Sequence, residues 1–235
     1  MNKTIRPAGR LFAAAAGLLL ALPLQAQNFE GVLSVHSATM PPQAGMQYFI
    51  KGDRLRLEIS SPGKSPIVMI SDGPARKQYI LFTDQKVYTT TSFAELLRTT
   101  DPLRKESARL LRDASMTPLG TTATVAGHKC AMHRYRDAKT VNDICLTTEL
   151  GALGGLGGLF GNVGRSTDPT EPPQWAQKFL KAGSFALRIA DTAGNSIWEV
   201  RKAEAKTLDS GLFAPPAGFV AVRDSSAKSK RPSLR

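Results

Sequence analysis

Alternation of apolar and polar side chains is the feature that most constrains how this chain can fold. In residues 46–59, Leu55, Leu57 and Ile59 alternate with charged residues, and Gly52-Asp53 divides the segment into two arms. Successive side chains of a strand point to opposite faces, so this pattern predicts an antiparallel hairpin with a tight turn. Similar short runs, separated by turn residues, occupy residues 29–37, 66–71, 77–83, 86–91, 121–126, 129–136, 140–147, 184–190 and 196–207. The chain is therefore expected to be mainly β.

Helical spacing occurs in a few segments only. Ser92–Glu95 has the form of a capping box, in which the serine hydroxyl accepts a hydrogen bond from a free backbone N–H. Asp101 is expected to cap a second helix that has Pro102 at its first position. A third, short helix is expected to end near Gly183. Because no linker separates two cores, the prediction is one α+β domain over residues 27–222, a mainly antiparallel sheet with a few covering helices.

The first 26 residues have the pattern of a secretory signal peptide. Three basic residues precede an apolar run from Leu11 to Leu22, and Leu24-Gln25-Ala26 has the form of a cleavage site. The run is too short for a comfortable membrane span, so we expect cleavage after Ala26 rather than an uncleaved anchor. Export of this kind predicts location in the periplasm, which is an oxidising compartment.

The chain is strongly basic, with 31 lysines and arginines, 19 acidic residues and a formal net charge of +12. Residues 223–235 contain five basic residues and one acidic residue, and they are predicted to form a disordered tail. Nucleic acid is not expected as a partner, because base-reading and stacking motifs are absent and export argues against it. An anionic membrane surface is the expected partner of this tail, and a purely solubilising role is the simpler alternative.

The two cysteines, Cys130 and Cys145, lie on the two arms of a predicted hairpin. A turn centred on Asp137-Ala138 would place them directly opposite each other, close enough for a structural disulfide after modest local adjustment. A metal site that adds His128 and His133 is the alternative. It is disfavoured because His133 falls on the other face of its strand, whereas zinc needs convergent ligands.

Residues 150–164 are rich in glycine and leucine. A phosphate-binding loop is excluded there, because Phe160 stands where the GxGxxG spacing needs glycine and no Gly-Lys-Ser/Thr follows. Leu153, Leu156 and Leu159 recur at steps of three, followed by Phe160. The segment is predicted either to pack on the sheet as an irregular helix or to form an apolar flap. Such a flap would line or cover a cavity, or touch lipid.

The residues form no convincing catalytic constellation. No Gly-x-Ser-x-Gly elbow is present, and none of the three histidines lies in a setting that suggests a Ser/His/Asp triad. With two cysteines and three histidines, a multi-ligand soft-metal cluster is also disfavoured. We therefore expect a protein that is not an enzyme and has no catalytic residues, metal or cofactor. A hydrolase remains the least favoured alternative.

Three segments, in order along the chain, resemble a known family. The hairpin Tyr48–Glu58, the strand entry Val125–Cys130 and the closing segment Leu208–Gly218 are similar to segments of the domain-of-unknown-function (DUF) 4412 family. The resemblance covers residues 29–222 and departs from the family at Cys145, where an aromatic residue is expected in many members. It implies an envelope protein similar to the outer-membrane lipoprotein carrier and receptor fold. That fold is a single curved, open antiparallel sheet, or half-barrel, with helices over its concave face and an apolar cavity.

Two functions from different classes follow from these expectations. The first is non-enzymatic binding of an apolar ligand, a lipid or acyl chain, by an exported protein of the cell envelope. The second is a structural or interaction module of the envelope whose concave face is filled by its own side chains. A cavity lined by leucine, isoleucine and phenylalanine would favour the first, and a filled core the second.

Overall fold

In the computed structural model, which describes residues 29–151 and 174–222, most residues lie in β-strands. The strands are β1 (Gly31–Ser37), β2 (Gly45–Lys51), β3 (Arg54–Ser61), β4 (Lys64–Asp72), β5 (Lys77–Phe82), β6 (Val87–Ser92), β7 (Ser115–Val125), β8 (His128–Arg136), β9 (Val141–Thr147), β10 (Phe185–Asp191), β11 (Ser196–Ala205) and β12 (Val220–Ala221). The helices are α1 (Phe93–Thr99), α2 (Asp101–Arg112), α3 (Gln174–Lys181) and a short 3-10 helix, Ser210–Phe213. The prediction of a mainly β chain with few helices is confirmed.

The strands of the described residues form one sheet of 12 in the order β12-β6-β5-β4-β3-β2-β1-β11-β10-β9-β8-β7. Two runs of consecutive antiparallel strands, β1 to β6 and β7 to β11, join where β1 pairs with β11. The sheet is open, because β12 and β7 are its two ends. The two-residue β12 pairs with β6 in parallel, and no pattern in the sequence predicts this strand.

Local turn chemistry explains the hairpins of the first run. β2 and β3 pair through Lys51 and Arg54, so Gly52-Asp53 is the two-residue turn that the sequence predicts. Gly52 has a φ of +56°, a conformation that glycine adopts without steric cost. Leu55 and Leu57 are buried, also as predicted.

One of the two predicted helix caps is present in the structure, and the other is not. Ser92 Oγ accepts a hydrogen bond of 3.1 Å from the backbone N–H of Glu95, as the capping box predicts. The second helix begins at Asp101 itself, and Thr100 is its N-terminal flanking residue, so the prediction of Asp101 as the cap is wrong. The Asp101 carboxylate lies 2.8 Å from Lys105 Nζ, one helical turn later.

The β8–β9 loop corrects the predicted register of the cysteines. Asp137 Oδ1 accepts hydrogen bonds of 2.7 Å from the backbone N–H groups of both Lys139 and Thr140, which builds a four-residue loop. The ladder therefore starts at the Arg136–Val141 pair and places Met132, rather than Cys130, opposite Cys145. The prediction of a turn centred on Asp137-Ala138 is therefore wrong. The residue opposite Cys145 lies two positions further along β8 than predicted, because the hydrogen bonds of the Asp137 side chain build a longer loop.

Both faces of the sheet carry apolar clusters. The first cluster includes Leu33 and Leu57. The second cluster includes Val32, Val68 and Ile70. The two sets occupy alternate positions along the paired strands, so their side chains lie on opposite faces of the sheet. The second cluster is covered by Leu208 and Phe213 of the closing segment. A third cluster contains Ile144, Leu146 and Ala186, with Phe179 of α3 packed against it. The face opposite the first cluster is thus also buried over much of its area.

Three predicted regions lie outside the described residues. They are the signal peptide at 1–26, most of the Gly/Leu-rich segment, with Leu153, Leu156, Leu159 and Phe160, and the basic tail at 223–235. Within the described ranges, none of the helices has the length and apolar character required to cross a membrane.

Candidate functional site

The first cluster is the largest of the buried apolar clusters in the described part of the chain. Its 16 buried residues come from eight strands, together with Phe29 before β1 and Leu150 after β9, and each is at most 9% exposed. The strand members are Leu33, Val35, Met46, Tyr48, Ile50, Leu55, Leu57, Val125, Cys130, Cys145, Phe185, Leu187, Trp198 and Val200. Because β1–β3 and β7–β11 contribute to the same cluster, it joins the two runs of strands into one core.

The first cluster contains few polar atoms. The Tyr48 hydroxyl lies 3.6 Å from Met46 Sδ. Burial raises the pKa of Tyr48, and a hydrogen bond with the Trp198 side chain partly offsets the effect. The Trp198 ring in turn contacts Phe185 edge to face, with ring centroids 6.1 Å apart. This cluster can therefore pack against hydrocarbon, and its hydroxyl and indole N–H already bond to partners within the cluster.

The predicted disulfide between Cys130 and Cys145 is present and lies within the first cluster. The two Cα atoms are 5.3 Å apart, inside the range for a disulfide, although the residues are diagonal neighbours rather than direct opposites. Both sulfurs are used in this bond, so neither is available as a thiolate metal ligand.

The histidines of the alternative metal site point to different partners. His128 Nδ1 lies 3.1 Å from Glu149 Oε2, whereas the His133 ring contacts Phe179 of α3. Among the residues that the structure describes, no group of three or more histidine, cysteine, aspartate or glutamate side chains could hold a metal ion.

A single row of apolar residues crosses the sheet on the face of the first cluster. Each member of this apolar row is directly paired with the next on the neighbouring strand, in the order Val200, Val35, Met46, Ile59, Ile67, Phe82, Val87 and Val220. The first three are at most 8% exposed, but Ile67 is 57%, Phe82 is 41% and Val220 is 63% exposed. The inner half of the row, at β11, β1 and β2, is thus core, and the outer half, at β4, β5 and β12, contacts solvent.

Polar contacts hold the closing segment on the opposite face of the sheet. Glu30 Oε1 accepts hydrogen bonds from the Leu208 N–H at 2.7 Å and from Lys51 Nζ at 3.0 Å, and Lys51 Nζ also donates to the Leu208 carbonyl at 2.5 Å. Arg56 Nη1 donates to the Leu212 carbonyl at 3.1 Å. The backbone hydrogen bond from Leu208, followed by the bond from Lys51, lowers the pKa of Glu30. These contacts fix the segment over the second cluster.

The Gly/Leu-rich segment begins at the first cluster. Leu150 is 4% exposed and belongs to that cluster, whereas α3, which follows the segment, packs through Phe179 against the third cluster. The chain between them therefore starts beside the apolar surface described above. Its predicted ligand-contacting residues, Leu153, Leu156, Leu159 and Phe160, lie outside the described residues, and their role stays a prediction.

These features define a class of protein: one open, mainly antiparallel sheet with apolar clusters on both faces, one of which contains a disulfide. The family model described as "Domain of unknown function (DUF4412)" matches residues 29–219 of the chain. This match covers most of the chain, so the protein belongs to the DUF4412 family, as the resemblance predicted. Among curated proteins, no match to the chain was found.

Sequence reasoning missed the outer half of the apolar row and the apolar character of the second face. One signal was present in β4, where Ile67, Val68, Met69 and Ile70 form a continuous apolar run instead of an alternating one. Such a run indicates a strand that is apolar on both faces. Met69 and Ile67 lie toward the first cluster, and Val68 and Ile70 belong to the second.

Proposed function

We propose that this is an exported, non-enzymatic protein that binds an apolar ligand, a lipid or acyl chain, on the sheet face of the first cluster. The observation that carries the proposal is the extent of that surface: one cluster draws apolar side chains from eight strands of a single open sheet. A sheet face of this extent, with few polar atoms, suits a ligand that is long and apolar.

The proposal includes the curved, half-barrel form of the sheet, and the chain connection from β6 to β7 supports this form. The two strands lie ten strand positions apart, so a flat sheet would separate them by about 48 Å. The connection consists of α1, with 7 residues, α2, with 12, and three further residues. At about 1.5 Å per helical residue and about 3.5 Å per extended residue, it reaches about 39 Å. A curved sheet brings the two strands within this reach.

The Gly/Leu-rich segment would complete the site. Because Leu150 already belongs to the first cluster, the residues that follow it in sequence would cover a ligand there. Each glycine in a helix interior costs about 1 kcal/mol relative to alanine, which disfavours a rigid helix and suits a cover that opens. Leu153, Leu156, Leu159 and Phe160 would then contact the ligand.

Export to the periplasm rests on two arguments. The pattern of residues 1–26 is that of a signal peptide cleaved after Ala26. A Cys130–Cys145 disulfide suits an oxidising compartment. The resemblance to the lipoprotein carrier and receptor fold also favours the periplasm. The proposed partner is accordingly a lipid rather than nucleic acid.

A second function has a specific observation in its favour. All 16 residues of the first cluster are at least nine-tenths buried, as expected for a core that its own side chains already fill. On this account, the protein is a structural or interaction module of the cell envelope that holds no ligand. The two functions differ in whether the cluster can open to admit hydrocarbon.

Titration of the purified protein with a fluorescent fatty acid separates these two functions. We expect saturable binding, and the variants Leu156→Asp and Phe160→Asp should each weaken it by about tenfold, because a charge replaces apolar contact. Ile197→Asp is the matched control, since Ile197 is an exposed apolar residue that lies outside the first cluster. Absence of saturable binding by the unmodified protein would contradict the ligand-binding function and favour the structural one.

A further inference from the structure

The outer half of the apolar row is an exposed apolar surface on one face of the sheet. Ile67 and Phe82 are direct cross-strand partners, and Val87 connects Phe82 to Val220. Val222, two residues beyond Val220, is 40% exposed. These residues therefore form a contiguous patch, the outer patch, rather than apolar side chains scattered singly over a surface.

Basic residues flank the outer patch. Lys64 begins β4 three residues before Ile67, and Lys86 lies in the β5–β6 turn beside Val87; both lysines are exposed. At about 3.3 Å per strand residue, Lys64 is about 10 Å from Ile67 along the strand. The same turn holds one acidic residue, Asp84, which is also exposed. The chain continues from Val222 into residues 223–235, which carry five basic residues and one acidic residue.

We propose that the outer patch, with Lys64 and Lys86, is the surface through which this protein docks on an anionic lipid bilayer. The combination of apolar and basic groups matches that surface. Interfacial apolar side chains enter about 5–10 Å into the boundary between headgroups and acyl chains. Lys64 and Lys86 lie at the ends of two neighbouring hairpins, from which their long side chains can reach the anionic headgroups beside the inserted residues. Membrane docking through the outer patch is a separate proposal from ligand binding, because it does not require a ligand on the face of the first cluster.

The size of the outer patch argues against a second copy of the chain as its occupant. The four exposed side chains of the patch, with the half-buried Val87, present an area on the order of a few hundred Å². Stable protein interfaces bury roughly 800 Å² per partner. A bilayer needs no such area, because each inserted side chain and each basic residue adds its own contribution to the free energy of binding.

Co-sedimentation with vesicles tests this docking surface. The purified protein is mixed at low salt with phosphatidylglycerol–phosphatidylcholine vesicles and, separately, with vesicles of phosphatidylcholine alone. We expect binding to the anionic vesicles that falls as salt is added, and much weaker binding to the zwitterionic ones.

Two double variants separate the contributions of apolar and basic side chains. Ile67→Asp with Phe82→Asp should reduce the partition coefficient at least tenfold, because two inserting side chains become charged. Lys64→Gln with Lys86→Gln should reduce it by roughly fivefold per lysine and flatten its salt dependence. Ile197→Asp should leave binding unchanged. If the aspartate variant fails to fold, Ile67→Thr with Phe82→Thr replaces it, because threonine is compatible with a strand.

Three outcomes would overturn the proposal. The first is no binding of the unmodified protein to anionic vesicles, and the second is equal binding by the Ile67/Phe82 variant. The third is a concentration-dependent dimer that this variant abolishes while vesicle binding persists, which would identify a second copy as the occupant. Each outcome leaves the fatty-acid titration unaffected, so failure of the docking surface is distinguishable from failure of the ligand site.

Discussion

The two halves of the apolar row differ in surroundings rather than in chemistry. Val35 and Met46 lie on the same sheet face as Ile67 and Phe82 and connect to them through one unbroken ladder of paired residues. The inner pair is at most 8% exposed, whereas Ile67 and Phe82 are 57% and 41% exposed. An apolar side chain on this face is therefore buried or exposed according to what packs over it.

The inner half shares its cluster with the second run of strands. The first cluster combines buried residues of β1–β3 with buried residues of β7–β11. Ile67, Phe82 and Val220 on β4, β5 and β12 are not members of that cluster. The same sheet face thus provides a core at one side and, as we propose, a membrane-docking surface at the other.

Truncation of one isoleucine in the first cluster and one in the outer half of the row should give the largest difference. Ile50 is fully buried in the first cluster, so Ile50→Ala should lower the free energy of unfolding by about 2–5 kcal/mol. Ile67→Ala changes the same residue type at an exposed position and should cost less than about 1 kcal/mol. Urea unfolding at equilibrium measures both values. Equal losses would mean that Ile67 is core and that the two halves do not differ.

Removal of the disulfide tests how far the first cluster depends on its covalent link. Cys130 and Cys145 are 15 residues apart in sequence, so the Cys130→Ala, Cys145→Ala double variant should lose about 3 kcal/mol and still fold. Alanine is chosen because both positions are buried and a serine hydroxyl there would need a partner. Mass mapping of the unmodified protein without reductant should recover the two peptides linked. Two free thiols would refute the bond, and bound zinc would favour the metal alternative.

A smaller, pH-dependent effect is expected on the opposite face. The pKa of Glu30 is lowered from its ordinary 4.5 by hydrogen bonds from Leu208 and Lys51, so its stabilising contribution is complete above pH 4.5. That contribution is lost as the pH falls through the lower pKa of the folded protein. Glu30→Gln should therefore be less stable than the unmodified protein near neutral pH, and the difference should vanish in acid. A difference that is constant with pH would contradict the assigned role of the charge.

Deletion of the basic tail should give the smallest change in stability. Residues 223–235 offer few apolar side chains for burial, so the melting temperature should be unchanged within error when they are removed. Binding to anionic vesicles at low salt should nevertheless weaken, because five basic residues are lost. A large fall in melting temperature would show that the tail packs against the domain.

Local features of the sequence predicted most of the fold. The Gly52-Asp53 hairpin and the Ser92 cap depend on residues adjacent in sequence, and both are present. The cysteine register failed because the length of the β8–β9 loop is set by hydrogen bonds of Asp137, which alternation does not reveal. The β12–β6 pairing joins residues far apart in sequence, and no local pattern indicates it.

Less of the candidate site than of the fold could be predicted from the sequence. The disulfide followed from two cysteines on neighbouring arms of a hairpin, and it lies in the first cluster. The assignment of Leu153, Leu156, Leu159 and Phe160 to a ligand remains a prediction. The outer patch was missed because exposure of Ile67 and Phe82 depends on which elements cover the face, a property of the assembled sheet.

Native mass spectrometry of the protein purified from its native host tests the central claim most directly. We expect a population whose mass exceeds that of the protein by one lipid or fatty acid, and this mass should disappear on delipidation and return with added fatty acid. A single unliganded mass, in a protein that also takes up no added fatty acid, would show that the first cluster is a filled core. The structural function would then replace the ligand-binding one.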